Sequence, residues 1–307
     1  METRKAGNSG DLLSADAVES VEGLELRAKS IVEGFIAGLH KSPHHGFSVE
    51  FTQHKQYYPG DEIRKIDWRV FGRTDRYFIK QYEEETNTGV FIVLDSSASM
   101  AYRQSGTESK FHYAVHLASA LAYLGLGQND AIGLALAAEK VDRFLPPSSK
   151  DVQFKNIISL LSATRASGKT DLERVLSQVS RQIKRRSIVI VLSDLLDGYE
   201  SVRKALDDLK FSGNEVILFH ILDPSELSFP FNNMVKFVDL ETGVELTADT
   251  VAVAEAYRRK MDEYLSALKA YSNRSGVDHQ LMTTDKAFDE ALRNYLVRRM
   301  KFTSIRG

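Results

Sequence analysis

An α/β fold built on a doubly wound, mostly parallel sheet is what this sequence predicts, and three observations predict it. Two runs, Val90 to Leu94 and Ser187 to Leu192, are apolar without the polar alternation of a half-exposed strand. Strands buried on both faces of a parallel sheet read this way. Each run ends in an acidic residue, Asp95 and Asp194, where the chain must leave the sheet. Helical patterns alternate with further β-rich runs over about two hundred residues, the rhythm of a sheet wound on both sides.

Composition bounds the function. The chain has 307 residues, 43% hydrophobic and 27% charged, enough to bury a sizeable core in one large domain or two ordinary ones. A formal charge of −2 gives no overall pull toward nucleic acid or an anionic membrane. Without cysteine there is no disulfide, thiolate metal site or cysteine nucleophile, which fits a reducing compartment. The first 22 residues lack the apolar stretch of a signal peptide, and no run is long enough to span a bilayer. A cytoplasmic protein with no integral membrane segment is expected.

In chain order, residues 1–23 mix Gly, Ser, Asp and Glu without periodicity and read as a disordered tail. Leu24, Ala28, Ile31, Val32, Phe35, Ile36 and Leu39 recur at helical spacing. Pro43 and Gly46 break the chain after that helix. His40, His44 and His45 have no acidic partner nearby that would complete a zinc site. Phe47, Val49 and Phe51 alternate like a half-exposed strand, and Pro59-Gly60-Asp61 turns the chain into a short helix through Ile63, Ile66 and Val70. Residues 77–82 read as another strand. Basic residues between Arg64 and Lys80 interleave with Trp68, Phe71 and Tyr77, but the mixed charge and the adjoining Glu83-Glu84-Glu85 favour ion pairs on a solvated face over nucleic-acid contact.

After Asp95, Phe111 to Leu126 is rich in Ala and Leu and reads as a helix packed on the sheet. Ala131 to Ala137 and Val141 to Leu145 are strands, the second expected to end at Pro146-Pro147. Helices come next over Val152 to Leu161 and Leu172 to Ile183, then the strand ending at Asp194. A helix from Tyr199 to Leu209 and a strand from Glu215 to Leu222 continue the alternation. Met234 to Leu240 and Val244 to Leu246, joined at Thr242-Gly243, suggest an inserted hairpin. Val251 to Tyr271 is a long helix, Val277 to Met282 a last strand and Phe288 to Val297 a closing helix.

The chemistry concentrates where these strands end. Asp95, Ser97 and Ser99 stand at alternate positions beyond a buried strand, and loops at the carboxyl ends of parallel strands are where open α/β sheets place their ligands. One carboxylate and two hydroxyls suit a hard cation, Mg²⁺ in particular, with Mn²⁺ as the other candidate. A plainer role for Asp95 or a serine is to cap the next helix.

With Thr170 in a loop that opens a helix and Asp194 at a second strand tip, these residues resemble the metal-ion-dependent adhesion site of von Willebrand factor A-type domains. The resemblance implies that Ser97, Ser99 and Thr170 bind Mg²⁺ through their hydroxyls and that Asp95 and Asp194 act largely through bridging waters. A cation held mainly by neutral groups is under-neutralised and attracts a partner's carboxylate. Upstream, Gly34 to His40, Gly46 to Phe51, Tyr58 to Arg64 and Ile66 to Trp68 resemble the signature of a bacterial family of unknown function that carries a von Willebrand A-like domain. Its members are often encoded beside MoxR-type AAA+ ATPases. That likeness runs from about Leu24 to Met300 and implies an adaptor or chaperone-type partner of the ATPase, with a client protein it does not name. The resulting expectation is a disordered tail over 1–23, a family-specific helix and β segment over 24–86 that packs on or extends the sheet domain, and a von Willebrand A-like domain over 87–302 with a hairpin near 234–246.

Two enzymatic readings compete. Ala163 to Thr170 departs from a phosphate-binding loop at its first position, Ala for Gly, so Lys169 would touch phosphate while Thr170 and Asp194 held Mg²⁺ in an NTPase. That reading leaves Asp95, Ser97 and Ser99 without a role. Alternatively Asp95 is the nucleophile of a Mg²⁺-dependent phosphohydrolase, but the second carboxylate two residues on is replaced by Ser97. A non-enzymatic, Mg²⁺-dependent protein-binding module is the expectation carried forward, and the basic residues Arg298, Arg299, Lys301 and Arg306 suit a helix end as well as a partner.

Overall fold

The computed structural model describes residues 21–40, 54–56, 78–80, 89–196 and 198–306, with 35–40, 54–56, 78–80 and 298–306 described by backbone alone. It divides into two compact units, one of residues 36–87 and one of residues 1–35 with 88–307. In the smaller unit, β1 (His54–Gln56) pairs antiparallel with β2 (Phe78–Lys80), and β2 falls within the strand expected over 77–82. His44, His45, Trp68 and the signature segments from Gly46 to Trp68 lie outside the described residues.

The larger unit is a six-stranded sheet in the order β10-β7-β6-β3-β4-β5. Its strands are β3 (Gly89–Asp95), β4 (Ala131–Ala137), β5 (Val141–Ser148), β6 (Ser187–Ser193), β7 (Glu215–Leu222) and β10 (Asp278–Thr283). All neighbours are parallel except β5, which runs antiparallel on the edge beside β4. The expected mostly parallel, doubly wound α/β sheet is the fold observed.

Burial on both faces explains the uninterrupted apolar runs. On β3, Val90, Ile92 and Leu94 enter one core while Phe91 and Val93 enter the other. The first core is closed by α1 (Val21–His40) through Leu24, Ala28 and Val32, by α2 (Lys110–Gly127), by α3 (Val152–Ser162) and by α8 (Phe288–Arg306). The second is closed by α4 (Leu172–Gln182), α5 (Tyr199–Phe211) and α7 (Thr250–Ser275). Ile92, Leu94, Leu192 and Phe219 are fully buried, and each such side chain contributes roughly 1.5–3 kcal/mol. α1 starts at Val21, inside the stretch read as tail, because its apolar stripe has this core to cover.

One expectation is corrected. Pro146 and Pro147 do not end β5, which continues through them to Ser148. An edge strand has one side whose N–H groups need no partner, so proline is tolerated there. The ladder slips between Ile132 and Leu134, and Gly133 makes room for the prolines. A Cβ at Gly133 would stand 3.0 Å from the Leu145 carbonyl and 3.1 Å from the Pro147 ring.

A short helix, α6 (Pro224–Ser228), follows β7, and β8 (Met234–Val238) with β9 (Glu245–Asp249) form the inserted hairpin. Among the described residues no helix is long and apolar enough to cross a membrane.

Candidate functional site

Chain order makes β3 the first strand of the sheet; the chain moves to β4 and β5 on one side and then returns to lay β6 on the other. The tips of β3 and β6 therefore flank the topological switch point, where connections diverge and leave a crevice. Asp95 ends β3, and Asp194 directly follows β6.

At the β3 tip the side chains fold onto one another. Asp95 Oδ1 accepts from the Ser97 amide at 2.9 Å and Asp95 Oδ2 from the Ser193 hydroxyl at 2.6 Å. A short 3₁₀ helix, Ala98–Ala101, comes next, with Ser97 as its cap residue but with no bond from the Ser97 side chain to its backbone. Instead the Ser97 and Ser99 hydroxyls meet at 3.0 Å. Capping of α2 falls to Ser109, whose hydroxyl accepts from the His112 amide. Thus the simple capping role weighed for Asp95 and the serines is performed elsewhere.

The loop of Thr170 is sewn to this tip by backbone bonds. Ala98 N–H donates to Gly168 O at 3.0 Å and Ser167 N–H to Ser96 O at 2.7 Å, while Asp171 N–H donates to Ala138 O, just past the neighbouring β4, at 3.1 Å. Gly168 supplies the left-handed turn this requires, with φ at 82°. A cavity of about 10 Å³, the room of one water molecule, is lined by both Asp95 and Thr170. The loop follows helix α3, whereas a phosphate-binding loop follows a strand.

Asp194 is fully buried and already bears a cation. Lys110 Nζ, 1% exposed, donates to Asp194 Oδ2 at 2.7 Å and to Glu226 Oε1 at 2.7 Å. Burial works against the Lys110 charge, but the two carboxylates outweigh it and hold its pKa above the ordinary lysine value. Asp95 has no such partner. Burial first, and the nearby Asp194 carboxylate second, push it up to about 7.

The structure thus brings Asp95, Ser97 and Ser99 onto one tip, bonds the Thr170 loop to it, and sets Asp194 close enough for its charge to act on Asp95. Three neighbours escaped the sequence reading: Lys110, Glu226 and Glu241, the last of which accepts from the Thr170 hydroxyl. Glu226 had a signal in the sequence. Asp223-Pro224-Ser225-Glu226 spells a capping box with proline at the first helical position, and both reciprocal bonds form.

The spacing of the two serine oxygens matches what a magnesium-sized ion would ask of neighbouring ligands. Oxygens about 2.1 Å from Mg²⁺ at octahedral corners lie about 3 Å apart along each edge, and the two serine oxygens are 3.0 Å apart. Among the described residues no group of three or more His, Cys, Asp or Glu side chains is arranged to hold a metal. A cation here would therefore rest on hydroxyls with two carboxylates behind them.

His220, buried beneath Asp194, is a stability element with a pH signature. Its Nε2 lies 2.9 Å from the Asp194 carbonyl, which only accepts, so Nε2 carries the proton. Burial first, and His279 second, lower its pKa from 6.5 to about 3. Below 6.5 the unfolded chain takes up a proton that the folded chain refuses, so stability present above 6.5 is lost as pH falls toward 3. The expected loss from His220 is about 1.4 kcal/mol per pH unit within that window. Urea unfolding of the wild type and of His220→Phe across that range measures it, and the variant should show the shallower acid slope.

An open, mostly parallel sheet with acidic and hydroxyl side chains at its switch point defines a doubly wound α/β protein. Within that class the chain belongs to the family described as "Protein of unknown function DUF58", whose model matches residues 53–268. The uncharacterized proteins Mb1516 of Mycobacterium bovis and Rv1480 of Mycobacterium tuberculosis are each 27% identical over 241 residues, which is 76% of this chain and 74% of theirs. Among solved structures, the conserved hypothetical protein BatB from Bacteroides thetaiotaomicron aligns with TM-score 0.40 at 16% identity, over 70% of this chain and 99% of its own. The SpRpn10 VWA domain aligns with TM-score 0.38 at 10% identity, over 67% and 93%.

Proposed function

We propose that this protein is a non-enzymatic protein-binding module that captures a partner carboxylate through Mg²⁺, with Mn²⁺ able to substitute. Ser97, Ser99 and Thr170 would hold the ion by their hydroxyls, with Asp95 and Asp194 behind them. The observation that carries this reading is the pair of buried serine hydroxyls 3.0 Å apart at the tip of β3, turned toward each other, with the Ser97 side chain not capping the 3₁₀ helix that carries Ser99. When bound, the ion supplies a position that an outside carboxylate completes.

The chain's own residues prepare that position. The Ser97 amide and the Ser193 hydroxyl fix the two oxygens of Asp95, while Lys110 and the Leu196 amide occupy those of Asp194. Asp194 so engaged suits contact with the ion through water. We propose further that the partner is a MoxR-type AAA+ ATPase, for which the chain serves as adaptor or co-chaperone in the cytoplasm.

Replacing Ser97 and Ser99 by Ala tests the metal reading. Removing two of the hydroxyl ligands should weaken Mn²⁺ binding, followed by electron paramagnetic resonance, by at least about tenfold while circular dichroism stays unchanged. Equal affinity in wild type and variant overturns the reading. Titration of a purified MoxR-type ATPase with and without EDTA tests the partner; affinity indifferent to EDTA would exclude capture through the ion. Specific ATP hydrolysis by the chain, lost in Lys169→Ala, would favour the NTPase instead.

A further inference from the structure

The Thr170 end of the site already holds a carboxylate, and it comes from the chain itself. Glu241, in the turn of the β8–β9 hairpin, accepts from the Thr170 hydroxyl at 2.7 Å through Oε1 and from the Thr170 amide at 3.1 Å through Oε2. The two residues are 71 positions apart, so nothing in local chain geometry obliges them to meet. The turn is built to present this side chain. Asp239 Oδ1 accepts from the amides of Glu241 at 2.8 Å and Thr242 at 3.1 Å, and Gly243 N–H closes onto Asp239 O at 2.8 Å.

Around that contact the apolar side chains of the hairpin stay largely in solvent. Val238, Leu240, Val244 and Leu246 around it are about half exposed or more, at 49–63%. The base is anchored separately. Thr250 bonds the Asn233 carbonyl through both its amide and its hydroxyl, and Phe229 stacks on Phe237 and Tyr257. An arm fixed at its base and held at its tip by a two-pronged carboxylate contact, with the charge of Lys169 beside Asp239 adding to it, has the construction of a latch.

We infer that Glu241 is the chain's internal occupant of the carboxylate position at the metal loop, so that a partner carboxylate gains that position by displacing the hairpin. The inference rests on the metal reading proposed above. Its oxygen lies 2.7 Å from the Thr170 hydroxyl, close to the edge length of about 3 Å between neighbouring oxygens around Mg²⁺. A tethered carboxylate competes at the high effective concentration its tether confers, and an outside ligand sees only the fraction of molecules in which the hairpin has lifted. The hairpin thereby sets how strongly a partner must bind before it is accepted.

Glu241→Gln removes the charge and keeps the shape. Hydrogen exchange of the metal-free full-length chain should be about tenfold faster in the variant at the Thr170 amide and through residues 234–249. Mn²⁺ alone, titrated by electron paramagnetic resonance, should bind about tenfold more weakly, and the bound ion should relax water protons more strongly because a position passes to solvent. Glu245→Gln is the control, since Glu245 pairs with Lys236 on the hairpin itself; it should change none of the three. Unchanged exchange and unchanged Mn²⁺ affinity in Glu241→Gln overturn the latch even where Ser97→Ala with Ser99→Ala abolishes Mn²⁺ binding, and that result leaves the metal reading standing. If the wild type binds no Mn²⁺, the metal reading falls, and the latch as a metal-site occupant falls with it. In that case faster exchange in the variant would show only that Glu241 seats the hairpin.

Discussion

Lys110→Met is expected to lower the free energy of unfolding by about 3–5 kcal/mol, the range for removing one partner of a buried ion pair. The methionine nearly fills the lysine's volume, so the loss measures stranded charge more than an empty space. Asp194 is fully buried and Glu226 is 13% exposed, and each would lose the ammonium 2.7 Å away. Equilibrium urea unfolding at neutral pH reads the effect. Adding Glu226→Gln to the variant should recover part of it, because one of the two stranded carboxylates is then gone. Non-additivity in that cycle identifies the pair as coupled. On the proposed reading, Asp194 freed from its lysine leaves the site more negative, and Mg²⁺ should stabilise the variant more than the wild type. A loss below about 1 kcal/mol, the range of surface pairs, would mean that water reaches these groups.

What the sequence made legible depended on how each feature is encoded. β3 and β6 could be read because a strand covered on both faces has no polar side to show, and Asp95 could be placed because it breaks such a run. The spacing of Ser97 and Ser99 is local, so their meeting was foreseeable. Asp194 could be placed as Asp95 was, at the end of an apolar run, but the grouping of Thr170 and Asp194 with the serines came only through a resemblance, since backbone bonds between loops carry no side-chain signature. Lys110 was missed for a different reason. A lysine at the first position of a helix reads as solvated, and only the folded chain shows it sealed between carboxylates 84 and 116 positions away. The same holds for Glu241, one of several acidic residues in a polar turn. The prolines of β5 misled because their rule depends on which strand is an edge, and edge status belongs to the whole sheet.

Asp223→Ala is expected to cost about 3–4 kcal/mol, since a single carboxylate organises a turn and a helix start whose amides would lose their acceptor. Oδ2 accepts from the amides of Gln104 and Gly106 at 2.9 Å each, and Oδ1 accepts from the Ser225 amide at 2.9 Å and the Ser225 hydroxyl at 2.6 Å. The Ser105 amide reaches both oxygens at 3.1 Å. Burial pushes the Asp223 pKa up, but these donors prevail and hold it below the ordinary value of 3.8. The stabilisation is therefore present above 3.8 and lost as pH falls through the lowered folded pKa, so the variant should lose the corresponding acid step in an unfolding profile. Exposure of Gln104 and Ser105 lets water replace some of the bonds, which keeps the cost under the sum of all of them. The effect should also travel. Asp223 N–H donates to Glu226 Oε2 at 2.8 Å, Glu226 Oε1 holds Lys110, and Lys110 holds Asp194. The turn at 104–106 begins three residues beyond the 3₁₀ helix that carries Ser99. Releasing it should weaken Mn²⁺ binding severalfold although every proposed ligand remains, and Mn²⁺ affinity unchanged in a destabilised Asp223→Ala would show that the serine tip is held by β3 and the Gly168 loop alone.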